Sequence, residues 1–374
     1  MQRRQLLTAL GGVSVVMAAA SSKAAGLLRQ LAPSLQRLPR VPMPVVQTGH
    51  GLQLPARLIP TPRSIPPASQ AALDAPLNPI WTCSPRTSDE WRTLAAQVDL
   101  LLVNRAAQTS SASPSSGPQP RVESFSLDGV PACLALPDGQ QAGHGLMVFS
   151  VHGGAYVLRG GASNLERDAI TTARRFGLPA LAIDYRQLPD WPQPVPLQDV
   201  ERAWVAAQQR YPRQRWLLSG VSSGGALACS LIQKQRATGG ALPVGLALVS
   251  PLLDLTLSGD SLQTHRGLDR DILQVEGLLQ GAVNLYLHGA DPHPPELSPL
   301  FGSFDGFPPS LIISGSRDLL MSDAIRLNQA LLQAEVPSQL QVFEAMSHLM
   351  ISELIPEQEQ AVAMLQRFAH SLQD

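Results

Sequence analysis

Short apolar runs alternate with longer amphipathic stretches from about residue 121 to the end of the chain. Continuous apolar runs of this kind predict buried strands, and apolar positions at helical spacing predict amphipathic helices. The predicted strands are 145–151, 179–184, 215–219, 244–250, 310–314 and 339–343, and the predicted helices lie near 163–176, 197–209, 223–237 and 322–334. Because strands without polar alternation are buried on both faces, the pattern predicts an α/β fold with a mostly parallel, twisted sheet covered by helices on both faces.

Two segments depart from this alternation. Arg121–Leu127 and Ala132–Leu136 are joined through the turn Asp128-Gly129, which predicts an antiparallel hairpin at the edge of the sheet. Residues 260–290 combine a polar stretch with a helical pattern and are predicted to be an insertion. Within it, Asp269 and Asp271 are interpreted as helix caps, and contact with a substrate is the alternative.

The segment 216–226 changes from a strand pattern to a helix pattern at a glycine turn. It contains Gly220-Val-Ser222-Ser-Gly224, and the two glycines of a Gly-x-Ser-x-Gly motif leave room for a strand and a helix to approach closely. A serine held at such a turn is exposed as a nucleophile, so we predict this role for Ser222, while Ser223 lies outside the motif's frame. The alternative is that Ser222 only caps the following helix.

A second motif lies upstream, where the predicted strand 145–151 ends in His152-Gly-Gly-Ala155. In esterases and lipases, the backbone N–H groups of this type of loop bind the negatively charged oxygen of the reaction intermediate. Each motif alone is weak, but both occur in the right order and on the right elements for a serine hydrolase.

An acid and a histidine follow in the order that such an enzyme requires. Asp318 comes directly after one predicted strand, and His348 comes after the strand 339–343. Loops after successive strands converge at one edge of a sheet, so we predict that His348 takes the proton from Ser222 and that Asp318 orients the imidazole. The alternatives are that Asp323 is the acid, that Asp318 belongs to a helix N-terminus, and that His348 is a surface-loop histidine.

Taken together, these motifs resemble the hormone-sensitive-lipase-like branch of the α/β-hydrolase superfamily, which includes bacterial esterases and lactone hydrolases. The resemblance runs from about Arg121 to His370. The matching motifs are His152-Gly-Gly, Asp184-Tyr-Arg, Pro196-Leu-Gln-Asp199, Gly220-Val-Ser222-Ser-Gly-Gly, Ser250-Pro-Leu-Leu-Asp254-Leu-Thr, Ser298-Pro-Leu, Phe307-Pro-Pro, Gly315-Ser-Arg-Asp318-Leu-Leu and Met346-Ser-His348. The resemblance implies an α/β-hydrolase fold with a helical cap, and a serine hydrolase of carboxylic esters that needs no cofactor. It also implies that the amides of Gly153, Gly154 and Ser223 form the oxyanion hole.

The chain departs from the family pattern at both glycine-rich motifs. Ala155 stands where the family usually has a third glycine, which bears on the flexibility of that loop. Val221 and Ser223 stand where the family more often has a polar residue and an alanine.

The first residues have the pattern of an export signal. Two arginines, Arg3 and Arg4, precede an apolar run from Leu6 to Ala20, and small residues follow. We therefore predict a twin-arginine-like signal over residues 1–25 and a periplasmic or secreted location in a bacterium. Gln2 stands where a twin-arginine signal has Ser or Thr, so a general secretory signal and an uncleaved anchor stay open; the apolar run is short for a stable membrane span.

The rest of the chain is predicted to have three parts. Residues 26–80 are rich in proline and predict an extended arm or linker. Residues 81–115 contain a helical pattern that begins at Ser88 and a Ser/Pro-rich flexible joint. By the family resemblance this helix is part of the cap over the active site. Residues 116–374 form the catalytic domain, and the insertion near 260–290 supplies the other half of the cap.

Composition excludes several functions. The net charge is −1 and no basic cluster occurs, so nucleic acid is not an expected partner. His288 and His293 have no further ligand at metal-site spacing, and no phosphate-binding glycine loop occurs, so neither a metal nor a nucleotide cofactor is expected. Among the cysteines, Cys229 is expected to be buried in a helix, whereas pairing of Cys83 with Cys133 in an oxidising compartment is left open.

The sequence therefore predicts a serine carboxylester hydrolase that cleaves short- to medium-chain esters of small molecules through an acyl-enzyme intermediate, with lactones as a further substrate class. One alternative is a deacetylase of exported metabolites or polysaccharide that uses the same three residues. An alternative of another class is a non-catalytic, ligand-binding member of the fold.

Overall fold

The computed structural model describes residues 46–48, 51–53, 56, 58–75, 79–110, 119–349 and 355–373. The chain divides into two compact units, residues 1–60 and residues 61–374. In the first unit, β1 (Val46–Thr48) and β2 (Gly51–Gln53) form an antiparallel pair. The predicted export signal, residues 1–25, lies outside the described residues.

The main sheet of the second unit has eight strands within the described residues, in the order β10-β9-β8-β7-β5-β6-β4-β3. These strands are β3 (Arg121–Leu127), β4 (Val130–Leu136), β5 (Leu146–Val151), β6 (Ala180–Ile183), β7 (Arg215–Val221), β8 (Gly245–Val249), β9 (Ser310–Gly315) and β10 (Ser338–Phe343). All neighbours from β10 to β6 are parallel, and β3 and β4 add an antiparallel hairpin at the edge. The predicted sheet and its edge hairpin are therefore confirmed.

Helices connect most of the strands and cover the sheet. In the described residues they are α1 (Pro67–Asp74), α2 (Ser88–Ser110), α3 (Ala162–Phe176), α4 (Val195–Arg210), α5 (Ser223–Thr238), α6 (Ser261–Thr264), α7 (Leu278–Leu287), α8 (Met321–Gln333) and α9 (Pro356–Ser371). Two of them end at glycines in the left-handed region, Gly177 after α3 and Gly239 after α5, where a residue without Cβ closes a helix at low cost.

Each face of the sheet has its own hydrophobic core. On one face, Phe149 of β5 packs edge-to-face against Trp204 of α4 at 5.3 Å between ring centroids. On the other, Ala169 of α3 and Leu365 of α9 pack over the central strands. Every residue of β5 is buried as a result, which explains why its sequence shows no polar alternation.

The segment before the catalytic unit is not extended throughout. Within residues 26–80, Pro67–Asp74 form the helix α1 instead of the predicted extended chain. The helix predicted to begin at Ser88 is α2, and its Trp91 is buried against α7, where a Cβ on Gly281 would lie 3.0 Å from the Trp91 ring.

The three cysteines are free, so the structure contains no bond between Cys83, which is exposed, and Cys133, which is buried in β4. Cys229 is buried in α5, as expected. Among the described residues, no helix combines the length and the apolar character that crossing a membrane requires.

Candidate active site

Ser222 lies at a sharp turn between β7 and α5. Its backbone has φ 51° and ψ −122°, a left-handed conformation that costs free energy in a residue with a Cβ and is characteristic of strained functional positions. The turn also depends on its glycines. A Cβ on Gly220 would lie 2.8 Å from the Gly224 carbonyl oxygen, and one on Gly224 would lie 2.2 Å from the Val151 oxygen. The sequence folds into this elbow because only glycine fits both positions.

Hydrogen bonds to the neighbouring strand and its loop hold the elbow in place. The Ser222 N–H donates to the Val249 carbonyl at 3.0 Å, and the Leu252 N–H donates to the Ser222 carbonyl at 3.0 Å. The Ser222 side chain makes no capping hydrogen bond to α5. The helix-cap alternative therefore does not describe this hydroxyl.

The glycine loop after β5 lies directly against the elbow. A Cβ on Gly153 would be 2.6 Å from the Val221 carbonyl oxygen and 2.9 Å from the Ser222 Cβ. Gly154 has φ 116°, and a Cβ there would be 2.4 Å from the Leu158 oxygen. Within the described part of the chain, no acceptor is bonded to the N–H of Gly153 or Gly154. Both amides are therefore available to a negatively charged oxygen next to Ser222.

Ala155 and Tyr156 continue this loop in the left-handed region, with φ 51° and 62°. The alanine in place of a third glycine is thus accommodated in a conformation that glycine would adopt more easily. The Tyr156 N–H donates to the Ser223 hydroxyl at 3.3 Å, which ties the loop to the start of α5. Ser223 is therefore a structural contact of the loop through its side chain.

His152 supports the glycine loop through its side chain. Its Nδ1–H donates to the Gly153 carbonyl at 2.8 Å, and its ring stacks on Tyr185 with 4.4 Å between centroids. The Tyr185 hydroxyl in turn donates to the His152 carbonyl at 2.9 Å. Burial lowers the pKa of His152, so the imidazole is neutral and acts as a support for the loop.

Asp318 and His348 form a buried pair. The His348 Nδ1–H donates to Asp318 Oδ1 at 3.1 Å, and both side chains are almost fully buried. The Ser314 hydroxyl donates to Asp318 Oδ2 at 3.0 Å, and the Leu320 N–H donates to Oδ1 at 2.9 Å. These bonds fix the carboxylate in one orientation, which leaves His348 Nε2 as the ring nitrogen that can act on a substrate.

Neighbouring charges and hydrogen bonds shift the pKa values of both members of this pair. Burial opposes ionisation of Asp318, but the adjacent His348 and the hydrogen bonds outweigh burial and hold the pKa of Asp318 below its usual value. Burial likewise opposes protonation of His348, yet the carboxylates of Asp318, Asp269 and Asp271 raise its pKa above the usual value. His348 is thus a base whose protonated form is stabilised by its surroundings.

The competing carboxylate, Asp323, has a different set of contacts. Its Oδ2 accepts the N–H groups of Leu253 and Asp254 at 2.7 and 3.1 Å. The structure therefore places Asp318, and not Asp323, on the imidazole of His348.

The loops that contain the predicted residues all follow the carboxyl ends of strands in the main sheet. Ser222 follows β7, Asp318 follows β9 and His348 follows β10, and these are parallel strands of one sheet. Ligand and catalytic sites of open α/β sheets lie at this edge. The serine, the acid and the histidine thus follow β7, β9 and β10, in the same order along the chain and across the sheet.

Sequence reasoning missed two features of this region. Tyr156 stacks face to face on Tyr286 of α7, with 3.9 Å between ring centroids, and both rings are buried. Asp269 is buried against both the acid loop and the histidine loop, where a helix cap was expected. Both sets of contacts join residues that are far apart in sequence. For the ring stack, the sequence signal was the position of Tyr156 beside the glycine loop.

No group of three His, Cys, Asp or Glu side chains that could hold a metal ion occurs within the described residues. His293 instead bonds to the Asp291 carboxylate through Nδ1 at 2.6 Å, in an exposed position.

The family model for the alpha/beta hydrolase fold matches residues 148–352, which is more than half of the chain. Among curated proteins, an esterase of Acinetobacter venetianus is 33% identical over 238 residues, covering 62% of this chain and 77% of the relative. An acetyl-hydrolase of Streptomyces hygroscopicus is 32% identical over 227 residues, covering 60% of this chain and 75% of the relative.

The chain is also similar to solved structures of esterases. The crystal structure of an esterase matches with a TM-score of 0.76 and 31% sequence identity, covering 85% of this chain and 97% of that protein. An esterase from the bacterial hormone-sensitive lipase family matches with a TM-score of 0.65 and 26% identity, covering 79% of this chain and 95% of that protein.

Proposed function

The chain belongs to the hormone-sensitive-lipase-like esterases of the α/β-hydrolase superfamily and is a carboxylester hydrolase, and from this premise we propose that it cleaves short- to medium-chain esters with Ser222 as the nucleophile. His348 is the general base and acid, and Asp318 orients it. The N–H groups of Gly153, Gly154 and Ser223 bind the oxyanion.

In the first half of the reaction, Ser222 Oγ forms a bond to the ester carbonyl carbon while its proton passes to His348 Nε2. The carbonyl oxygen becomes negatively charged and is stabilised by the oxyanion amides. The bond to the alcohol oxygen then breaks, and the alcohol leaves with the proton from His348. In the second half, His348 takes a proton from water while the water oxygen bonds to the acyl carbon; the bond between that carbon and Ser222 Oγ then breaks, Ser222 takes the proton back from His348, and the acid is released.

The observation that carries the proposal is the contact between Gly153 and the nucleophile. A Cβ on Gly153 would be 2.9 Å from Ser222 Cβ, so the glycine loop, with its two unbonded amides, packs directly against the nucleophile. A ligand-binding protein of this fold would have no need for a strained serine, a buried Asp–His pair and two unbonded amides at the same place.

The preference for shorter acyl groups rests on the ring stack beside the oxyanion loop. Tyr156, two residues after Gly154, and Tyr286 of α7 are both buried and in contact, so that α7 covers the glycine loop at this point. Trp91 of α2 packs on α7 and supports this cover. Bulky, buried rings next to the glycine loop favour small acyl groups over long ones.

The similarity to an acetyl-hydrolase favours a second candidate, the removal of acetyl groups from exported small metabolites. This reaction uses the same residues and the smallest acyl group. It differs from a general esterase activity in the alcohol, because acetylated metabolites would then be hydrolysed faster than simple aryl acetates.

We also propose that the protein is exported across the bacterial inner membrane. The paired arginines Arg3 and Arg4 and the apolar run after them support this location. Expression in a bacterial host followed by osmotic shock tests it, and recovery of all full-length protein in the cytoplasmic fraction would contradict it.

The central experiment compares p-nitrophenyl esters from acetate to palmitate in the wild type, Ser222→Ala and Ser223→Ala. We expect the wild type to prefer short to medium chains. Ser222→Ala should lose at least about a thousandfold in kcat, because no nucleophile is left.

Ser223→Ala is the matched control, because it removes the neighbouring hydroxyl while keeping the backbone amide. It should lose less than about tenfold, since its side chain contacts the Tyr156 N–H and the Tyr185 hydroxyl, both of which belong to the support of the loop. If activity were lost in Ser223→Ala but kept in Ser222→Ala, the proposal would have assigned the wrong serine as nucleophile. A wild type that is inactive on every ester would favour the ligand-binding alternative.

A further inference from the structure

Asp269 lies in the insertion between β8 and β9 and is fully buried. Its carboxylate accepts hydrogen bonds only from backbone N–H groups among the described residues. Two of these belong to its own turn: Asp271 and Ile272 donate to Oδ1 at 2.9 and 3.2 Å. A buried carboxylate is costly, so contacts that retain it need an explanation beyond a helix cap.

The other two N–H groups come from the loops that carry the acid and the histidine. The Leu319 N–H donates to Asp269 Oδ2 at 2.7 Å, and the His348 N–H lies 3.3 Å from each carboxylate oxygen. Leu319 directly follows Asp318. One carboxylate therefore bonds to the backbone on both sides of the Asp318–His348 pair.

Neighbouring residues of the insertion repeat this arrangement. The His265 Nδ1–H donates to the Asp318 carbonyl at 2.9 Å, and the Arg270 N–H donates to the Ser347 hydroxyl at 3.0 Å. The insertion thus contacts each of the two loops at more than one point. Asp269 is the one residue of these that bonds to both loops.

Asp269 also brings a negative charge close to the imidazole. The titratable groups that act on His348 are Asp318 from the loop after β9 and Asp269 and Asp271 from the insertion, and all three favour the protonated ring. The imidazolium forms when His348 takes the serine proton. A second buried carboxylate stabilises it at the moment of reaction.

We propose that Asp269 is a positioning residue for the Asp318–His348 pair: it holds the two loops in register through their backbone amides, and its charge stabilises the imidazolium. This inference rests on the proposed function. It assigns a catalytic consequence to an insertion residue whose side chain does not touch the substrate.

The test is the pH dependence of kcat/KM for p-nitrophenyl acetate in Asp269→Asn. Because the neutral imidazole is the active base, kcat/KM rises as the pH rises through the pKa of His348. Removing a nearby negative charge lowers that pKa, so the rising limb should move to lower pH by about one unit. Displacement of the loops should lower kcat by about 10- to 100-fold with little change in KM.

Asp269→Glu separates the two effects, because it keeps the charge but not the position. It should leave the limb close to its wild-type pH while lowering kcat, and it carries the test if Asp269→Asn does not fold. Asp199→Asn is the control for loss of a buried carboxylate, since Asp199 on α4 is bound by Arg186 and Arg202 and is not among the groups that shift the pKa of His348. It should change stability and leave the limb in place.

A folded Asp269→Asn with wild-type kcat and an unmoved limb would overturn the inference, as would Asp269→Glu with wild-type kcat. A limb that moves equally in Asp199→Asn would show a general effect of destabilisation and would also overturn it. Failure of the proposed function is distinguishable, because the wild type would then hydrolyse no ester and would have no pH profile to shift.

Discussion

The space at Gly153 determines how closely the glycine loop lies against the elbow. A Cβ at this position would overlap the Val221 carbonyl, at 2.6 Å, and would approach Ser222 Cβ to 2.9 Å. Both atoms belong to the elbow, which is fixed by hydrogen bonds to β8 and its loop. The glycine loop would have to move away, and its amides would move with it.

We therefore expect Gly153→Ala to lower kcat by at least about a hundredfold, the cost of losing an oxyanion donor. Gly281→Ala is a matched control, because its Cβ would meet only the edge of the Trp91 ring, at 3.0 Å. Kinetics on p-nitrophenyl acetate check both variants. Wild-type kcat in a folded Gly153→Ala would show that the loop is not part of the oxyanion hole.

At this scale the sequence predicted the residues that belong to motifs. Ser222, Asp318 and His348 each follow a recognisable strand, so their positions at one edge of the sheet could be anticipated. Asp269 could not, because its importance comes from accepting the N–H groups of Leu319 and His348, which lie 50 and 79 residues further along the chain. Every residue except proline has a backbone N–H group, so the sequence does not show which of these groups a side chain will bind.

Among the elements, α7 and the oxyanion loop are joined by the stack of Tyr286 on Tyr156. Tyr286 also lines a cleft of about 360 Å³ on the side of α4. The other residues of this cleft are Gln193, Pro194, Leu197, Ala290, Asp291, Pro294, Glu296 and Leu297. The ring of Tyr286 thus separates the oxyanion loop from an apolar space large enough for several methylene groups.

We expect Tyr286→Ala to open this separation and to extend the acyl pocket. The ratio of kcat/KM for p-nitrophenyl octanoate to that for the acetate should rise about tenfold. Tyr286→Phe keeps the ring and should retain the wild-type ratio. An unchanged chain-length profile in a folded Tyr286→Ala would place the acyl group elsewhere in the site.

The core elements were predictable because their burial is uniform. Strands such as β5 and β9 are buried on both faces and therefore appear as continuous apolar runs. The helix α1 was not predicted, because its segment contains several prolines that read as extended chain. Proline is tolerated in the first turn of a helix, and α1 begins with Pro67.

For the whole molecule, buried carboxylates make stability depend on pH. Burial raises the pKa of Asp323 to about 7, whereas an aspartate in an unfolded chain has a pKa of about 3.9. The folded state thus binds this proton more tightly. The stabilisation is fully present below about pH 4 and is lost as the pH rises towards 7.

Asparagine is neutral at every pH and keeps an oxygen for the N–H groups of Leu253 and Asp254. Asp323→Asn should therefore increase the free energy of unfolding relative to the wild type. This increase should be larger at pH 8 than at pH 5, by about 2 kcal/mol. Urea unfolding of both proteins at the two pH values measures this difference. The same difference at pH 5 and pH 8 would mean that Asp323 does not titrate in this range.

The central claim for the molecule is that Ser222 is the nucleophile activated by the Asp318–His348 pair. Its most direct measurement is stoichiometric labelling with diisopropyl fluorophosphate, followed by fragmentation mass spectrometry of the peptide that contains Ser222 and Ser223. The account predicts one phosphoryl group per chain, on Ser222, with esterase activity lost in proportion to labelling. Labelling of Ser223 or of another residue, or full activity in a chain labelled at Ser222, would contradict it.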